Sequence, residues 1–221
     1  MNLTVALLPH SWWWVADAVL LGVMIDAGRY APWRRLREPA QLNVWLGCIV
    51  TLALLWGVRA GIRPGLSFHL LGATACTLLF KPRLAIAAMV LVVAGQIAAG
   101  AIALHSAAGN ALLMGVFPVL VSQAVLRTVE RRLPPNPFVY IFGAAFFGAG
   151  LTIAATGALA SLLLAAAGAY PLDDLAGEYL PWLILLAWAE AFTTGAVITL
   201  IVVYRPSWIA TFDDRRYLTR R

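Results

Sequence analysis

Long apolar runs, separated by brief polar breaks, dominate the chain. The runs lie at approximately 11–28, 42–60, 65–80, 83–104, 108–128, 137–168 and 180–204. Each is near the roughly 20 residues that a helix needs to cross a bilayer, although the third is short and the sixth is long enough to tilt or bend. The pattern predicts an all-α integral membrane protein with about seven transmembrane helices, folded as a single domain over residues 1–221.

The basic residues predict the orientation of this bundle. If the N-terminus lies outside, most of the arginines and lysines fall in the inner segments 29–41, 81–83, 127–136 and the tail from 205. Of the basic residues, Arg59 and Arg63 alone fall on the outer side, and the outer loop 169–179 is acidic. The positive-inside rule therefore predicts an outer N-terminus and an inner C-terminus. The basic end, 204–221, is predicted to be a cytoplasmic tail along anionic lipid headgroups.

Composition supports a membrane protein and excludes an ordinary soluble domain. The chain is 62% apolar and only 12% charged, and its net charge of +6 comes largely from arginines in short loops. Such charge indicates topology and a lipid surface before any nucleic-acid partner, and none is predicted.

The first residues carry no basic n-region, so Met1 is expected to be the mature start. Cys48 and Cys76 lie in apolar segments and are expected to be buried thiols rather than a disulfide framework.

Polar side chains inside or beside the apolar runs are the candidate functional residues. They are His69, Gln96, His105 and Asn110, and each needs a partner or a ligand in lipid. The predicted topology also places His10, His69 and His105 at the outer face. Histidine is the commonest metal ligand, so this placement favours a polar or metal site there. The alternative is that imidazoles collect at interfaces because they are amphipathic.

Glu190 is an acid within the last apolar run. A carboxylate at this depth must be paired, protonated or turned toward a polar cavity. It either orients a ligand histidine from outside the ligand shell or ties two helices together.

Ala18 and Gly22 form a small-residue stripe on the first helix. Stripes of this spacing allow close contact between helices. This one could pack the chain against itself or dock a partner subunit.

Four short motifs, in order, carry a resemblance to a known family. They are Ser67, His69, Leu70 and Gly72 in a turn; Gln96 on the next helix; Asn110, Met114 and Gly115; and, with slippage of one or two positions, Glu190, Ala191 and Thr194 on the last helix. Together they resemble the CbiM/NikM-type substrate-capture components of energy-coupling factor ABC transporters for cobalt and nickel. The likeness spans nearly the whole chain and includes the seven-helix topology.

The resemblance implies a bacterial inner-membrane protein, not an enzyme, that binds a transition-metal ion as substrate and needs no organic cofactor. In relatives the ion is held by nitrogens of the N-terminal amine, of the amide and imidazole of a second-position histidine, and of a histidine equivalent to His69. The implied partners are a coupling transmembrane subunit and cytoplasmic ATPases, because this chain has no Walker A segment. No catalytic triad or HExxH motif is present either.

The sequence departs from the family pattern at the metal ligands. Asn2 stands in place of the second-position histidine, and Leu113 in place of a second Asn. An acidic stretch before the Asn motif is replaced by residues 101–103. Met1, Asn2 and His69 would still offer three nitrogens, with His10 or His105 as a replacement ligand and copper as an alternative to cobalt or nickel. The alternative function is a non-transporting membrane subunit that has lost the metal site and packs against another membrane protein.

Overall fold

The protein is a bundle of helices with a small β-hairpin at one end, seen in a computed structural model that describes residues 3–213 and Tyr217. Its main elements are α1 (His10–Tyr30), α2 (Pro39–Gly57), β1 (Ala60–Arg63), β2 (Leu66–Phe68), α3 (Ala73–Ala98), α4 (Leu104–Arg132), α5 (Pro137–Ala166), α6 (Leu172–Glu178) and α7 (Leu180–Tyr204). Short 3₁₀ turns stand at Val5–Leu7, Trp33–Arg37 and Pro206–Trp208, and π-helical turns interrupt α4 at Leu112–Val116 and α5 at Tyr140–Phe147.

Within the described residues, five helices are long and apolar enough to cross a membrane: α2, α3, α4, α5 and α7. The prediction of a helical membrane protein is therefore confirmed, although length and composition give five candidate spans rather than seven. The first helix, α1, has 21 residues but carries Asp17 and Asp26, which make it more polar. The third helix, α3, covers parts of two predicted segments.

The prediction of a helix over 65–80 is wrong in its first half. Pro64 and Gly65 form the tight turn between β1 and β2, with Gly65 at φ 81°. Gly72 follows at φ 67°, a conformation that glycine adopts without a steric penalty, and the helix begins only at Ala73. The helical part that remains, 73–80, is about 12 Å long and too short to span a bilayer.

The chain reverses direction inside α3, at Lys81, where φ and ψ are 67° and 162°. A straight helix of 26 residues would be about 39 Å long. Yet Gly72 at one end packs against Leu52, and Gln96 at the other end donates a hydrogen bond to the Ala53 carbonyl (2.7 Å). Both ends of α3 thus lie beside the same turn of α2. α3 is therefore a hairpin of two helical halves, which turns in the break between the predicted segments 65–80 and 83–104.

The C-terminal segment supplies hydrogen-bond donors at the bend of α3. Pro82 has no N–H, and the bend at Lys81 removes further helical hydrogen bonds, so carbonyls just before the bend need other donors. Thr211 Oγ1 donates to the Leu78 carbonyl (2.8 Å), and the Ala210 N–H donates to the Leu79 carbonyl (2.9 Å). A segment far away in sequence thereby completes the backbone bonding of α3.

A second set of bonds fixes the same segment from the loop between α1 and α2 and from the first turn of α2. Arg35 Nη2 donates to the carbonyls of Ser207 and Trp208, each at 3.2 Å, and Gln41 Nε2 donates to Ser207 (2.9 Å). The described part of the tail is thus packed against the bundle. The basic residues of the predicted tail at 215, 216, 220 and 221 lie outside the described residues.

Replacement of Thr211 by valine tests whether the C-terminal segment stabilises the bend of α3. Thr211→Val leaves the Leu78 carbonyl and the hydroxyl of Tyr140, which bonds Thr211 at 2.6 Å, without their partner. We expect a loss of about 1–3 kcal/mol per buried group left unpaired, measured as a lower Tm in detergent. Thr128→Val is the matched control, because its hydroxyl also bonds a carbonyl but is exposed. Equal Tm values for the two variants would contradict this role of the tail.

Candidate functional site

His69 lies on the turn that joins the β-hairpin to α3. The antiparallel strands β1 and β2 present this turn, and the positive-φ Gly72 ends it. Leu66 and Ser67 are buried beneath it, so the turn is anchored in the bundle. His69 itself is only 7% exposed, so its ring is turned into the protein.

The imidazole of His69 is held in one tautomer. Its Nδ1 lies 3.1 Å from the Leu70 carbonyl oxygen. A carbonyl only accepts hydrogen bonds, so Nδ1 carries a proton, and in the neutral imidazole the lone pair is then on Nε2. The ring of Trp56 packs against the imidazole, with centroids 4.9 Å apart. A neutral imidazole with a fixed Nδ1–H is the form that binds a metal ion through Nε2.

Glu190 fixes the backbone that carries His69. Its two carboxylate oxygens accept hydrogen bonds from the Leu71 N–H (2.8 Å) and the Gly72 N–H (2.7 Å). The side chain is 3% exposed and reaches the turn from α7. Its contacts are with the backbone two and three residues beyond His69, so it ties α7 to the turn.

Trp56 is the site residue that sequence reasoning missed. Its indole Nε1 donates to the Leu71 carbonyl (3.2 Å) while its ring packs on His69. The tryptophans of this chain indicate interfacial anchoring as a class, yet Trp56 is only 2% exposed. One signal in the sequence was its place at the end of an apolar run, shortly before His69.

The start of the chain is fixed by Asn110. The Leu3 N–H donates to Asn110 Oδ1 (2.8 Å), and Asn110 Nδ2 donates to the carbonyls of Leu3 and Ser106, each at 2.9 Å. Asn110 is fully buried, and Leu3 is 2% exposed. The predicted ligands Met1 and Asn2 lie outside the described residues.

Asn110 and His69 lie at the same end of the bundle. Gln96, at the end of α3, bonds Ala53, one turn before Trp56 in α2. The Gln96 carbonyl accepts the N–H of Ala101 (2.8 Å), so the short connection to the start of α4 also begins here. Gln96 therefore serves as a link between α2, α3 and the connection to α4.

His10 and His105 line a cavity that does not include His69. Both are exposed and line a pocket of about 400 Å³ together with Asp17. The His10 ring stacks on Trp14 at 6.3 Å. Among the described residues, no group of three or more His, Cys, Asp or Glu side chains could hold a metal ion.

The small-residue stripe of α1 faces away from the rest of the described chain. Ala18 and Gly22 are both exposed, and a Cβ at Gly22 would meet no atom within 4 Å. The docking of a partner helix on this stripe stays a prediction.

The short acidic helix α6 holds the β-hairpin. Arg63 forms ion pairs with Asp174 (3.2 Å) and Glu178 (2.7 Å), and the bond to Asp174 raises the pKa of the Arg63 guanidinium. Phe68 stacks flat on Tyr179, with centroids 5.0 Å apart. The hairpin that presents His69 is thus held at both strands.

Comparisons with known proteins identify a shared fold and, separately, a family. Two of the solved structures that the chain matches are described as a transition metal transporter and a truncated transition metal transporter. The first match has 15% identity and a TM-score of 0.77, covering 92% of this chain and 93% of the other. The second has 15% identity and a TM-score of 0.76, covering 92% and 99%. At such low identity, these matches show a shared fold alone.

No curated protein matches the sequence. The family model described as "cobalt uptake substrate-specific transmembrane region" matches residues 2–208. The chain therefore belongs to the CbiM family of cobalt-uptake transmembrane proteins.

Proposed function

We propose that this chain is the substrate-binding component of an energy-coupling factor transporter, and that it captures a divalent cobalt- or nickel-class ion at the outer face of the bacterial inner membrane. Membership in a cobalt-uptake family supports a metal-uptake membrane component. The sequence has no Walker A segment, so ATP hydrolysis must come from separate ATPase subunits, joined through a coupling membrane subunit.

The observation that carries this proposal is the buried His69 ring with its lone pair on Nε2. Asn110 fixes the chain at Leu3 near the same end of the bundle. Two further residues span at most about 7 Å. The amine of Met1 and the amide of Asn2 are therefore our proposed companions to His69. Amine, deprotonated amide and imidazole nitrogens suit the tetragonal geometry that nickel, cobalt and copper accept more readily than zinc.

The contacts around His69 favour binding by a site that is already formed. Glu190 and Trp56 hold the turn by its backbone, and Asn110 holds the chain start, so few side chains need to be ordered when an ion arrives. Ligands that are fixed by surrounding bonds bind a metal with less loss of conformational entropy.

Removal of the His69 ligand is the first test. We expect the metal content of protein purified without chelator to fall from near one ion per chain to background in His69→Ala. The affinity should fall at least about 100-fold, because loss of an outer hydrogen-bond partner alone costs about 10–100-fold. His105→Ala is the matched control and should retain its metal. Wild-type protein without metal, in a stable complex that lacks ATPases, would instead support a non-transporting subunit.

Extension of the N-terminus tests Met1 and Asn2. One residue added before Met1 moves the free amine and turns the nitrogen of Met1 into an amide. We expect ion binding to be lost while Tm in the absence of metal stays unchanged, since Leu3 keeps its bonds to Asn110. Binding is measured by calorimetric titration with Ni²⁺ or Co²⁺. Unchanged affinity would remove Met1 from the proposed site.

Glu190→Gln separates support of the turn from a direct effect on the ion. A glutamine offers one acceptor oxygen in place of two, so one of the N–H groups of Leu71 and Gly72 loses its partner. We expect a stability loss of about 1–3 kcal/mol, seen as a lower Tm, while the folded protein still binds Ni²⁺ well below that temperature. Glu38→Gln, at an exposed position, is the control. Lost binding at an unchanged Tm would mean that Glu190 acts on the ion site itself.

A further inference from the structure

The two cysteines of the chain meet inside the bundle. Cys48 lies on α2 and Cys76 on the first half of α3, and their Sγ atoms are 3.1 Å apart. Both are free thiols. The sulfur atoms need to approach by only about 1 Å to reach the bond length of a disulfide.

The pair joins α2, which carries Trp56, to α3, which begins directly after the His69 turn. The Cys76 N–H donates to the Gly72 carbonyl (3.0 Å), which places it in the first turn after the His69 segment. Cys48 is two helical turns before Trp56 on α2, and Trp56 packs on the His69 ring. A covalent bond between the two sulfurs would therefore join the helix that carries Trp56 to the helix that begins at the His69 turn.

One of the two cysteines lines a cavity. Cys48 is half-buried and lines a cavity of about 240 Å³ with Glu190 and Thr194, whereas Cys76 is fully buried. An oxidant that enters the cavity meets Cys48 first. Cys76, in contact with Cys48, is then placed to complete the bond.

We propose that Cys48 and Cys76 are a site of reversible oxidation, and that their disulfide locks the His69 turn against α2. The reactant is a small two-electron thiol oxidant, such as an azodicarboxamide. Two S–H bonds break and one S–S bond forms. The two hydrogen atoms pass to the N=N group, which becomes a hydrazine. A dithiol reductant reverses the reaction by thiol–disulfide exchange.

The bond itself does not depend on the proposed function, because its formation requires no metal ion. Its consequence for ion capture does. A cross-link between α2 and the helix that follows the His69 turn restrains their relative movement, so the oxidised protein should exchange a bound ion more slowly.

The test treats the full-length wild-type protein with diamide in detergent, without metal. We expect the intact monomer to lose the mass of two hydrogen atoms, and dithiothreitol to restore it. The sequence contains only 2 cysteines, so this loss in a monomer can come only from a Cys48–Cys76 bond. We also expect slower amide hydrogen exchange in the peptide that contains residues 66–76.

Cys48→Ser and Cys76→Ser are the matched controls, and in neither should the monomer lose two hydrogens. Two thiols that still react with a maleimide in the unfolded protein after diamide treatment would overturn the proposal, as would a disulfide that links two chains. A disulfide that forms but leaves hydrogen exchange at residues 66–76 unchanged would overturn the locking of the turn.

Discussion

The fold around His69 depends on one carboxylate that holds two backbone N–H groups. Glu190 reaches from α7 and accepts hydrogen bonds from Leu71 and Gly72, where the chain enters α3. Backbone donors inside a membrane have no water to bond, so each one left unsatisfied costs several kcal/mol. The bidentate contact removes this penalty and fixes the position of the His69 turn relative to the last helix.

The same need to satisfy backbone groups explains the contacts at the bend of the α3 hairpin. The bend at Lys81 and the proline after it leave carbonyls without helical partners, and residues 210 and 211 supply the missing donors. Both irregular points of α3 are thus completed by residues more than 100 positions away. A bent helix hairpin of this kind is stable in a bilayer only where surrounding protein satisfies its backbone.

These bonds are the physical support of the proposed ion site. The Trp56 ring packs against the His69 ring, the Nδ1 of His69 is directed at a carbonyl, and the backbone that follows His69 is tied to Glu190. The start of the chain is brought to the same end by the amide of Asn110, which bonds both the N–H and the carbonyl of Leu3. A site built from a chain terminus requires such a clamp, because termini are otherwise poorly ordered.

The sequence by itself determined the class of the protein and the identity of most polar residues that matter. Apolar runs of bilayer length predict a helical membrane protein, because the requirement to bury backbone groups in lipid acts locally along the chain. For the same reason His69, Asn110, Gln96 and Glu190 could be singled out, as polar groups in lipid need partners. The break near Lys81 between two apolar runs could also be predicted, because proline and charged residues interrupt the apolar pattern there.

Only the tertiary structure decided which partners these groups take. The bonds of Glu190 to the turn, of Asn110 to Leu3 and of the C-terminal segment to α3 join residues far apart in sequence, and no local pattern specifies such pairs. The β-hairpin in place of a helix start turns at the positive-φ Gly65, and its Arg63 is held by Asp174 and Glu178 of α6. The contact of Cys48 with Cys76 arises because α3 folds back along α2, so a one-dimensional pattern of apolar segments could not predict it.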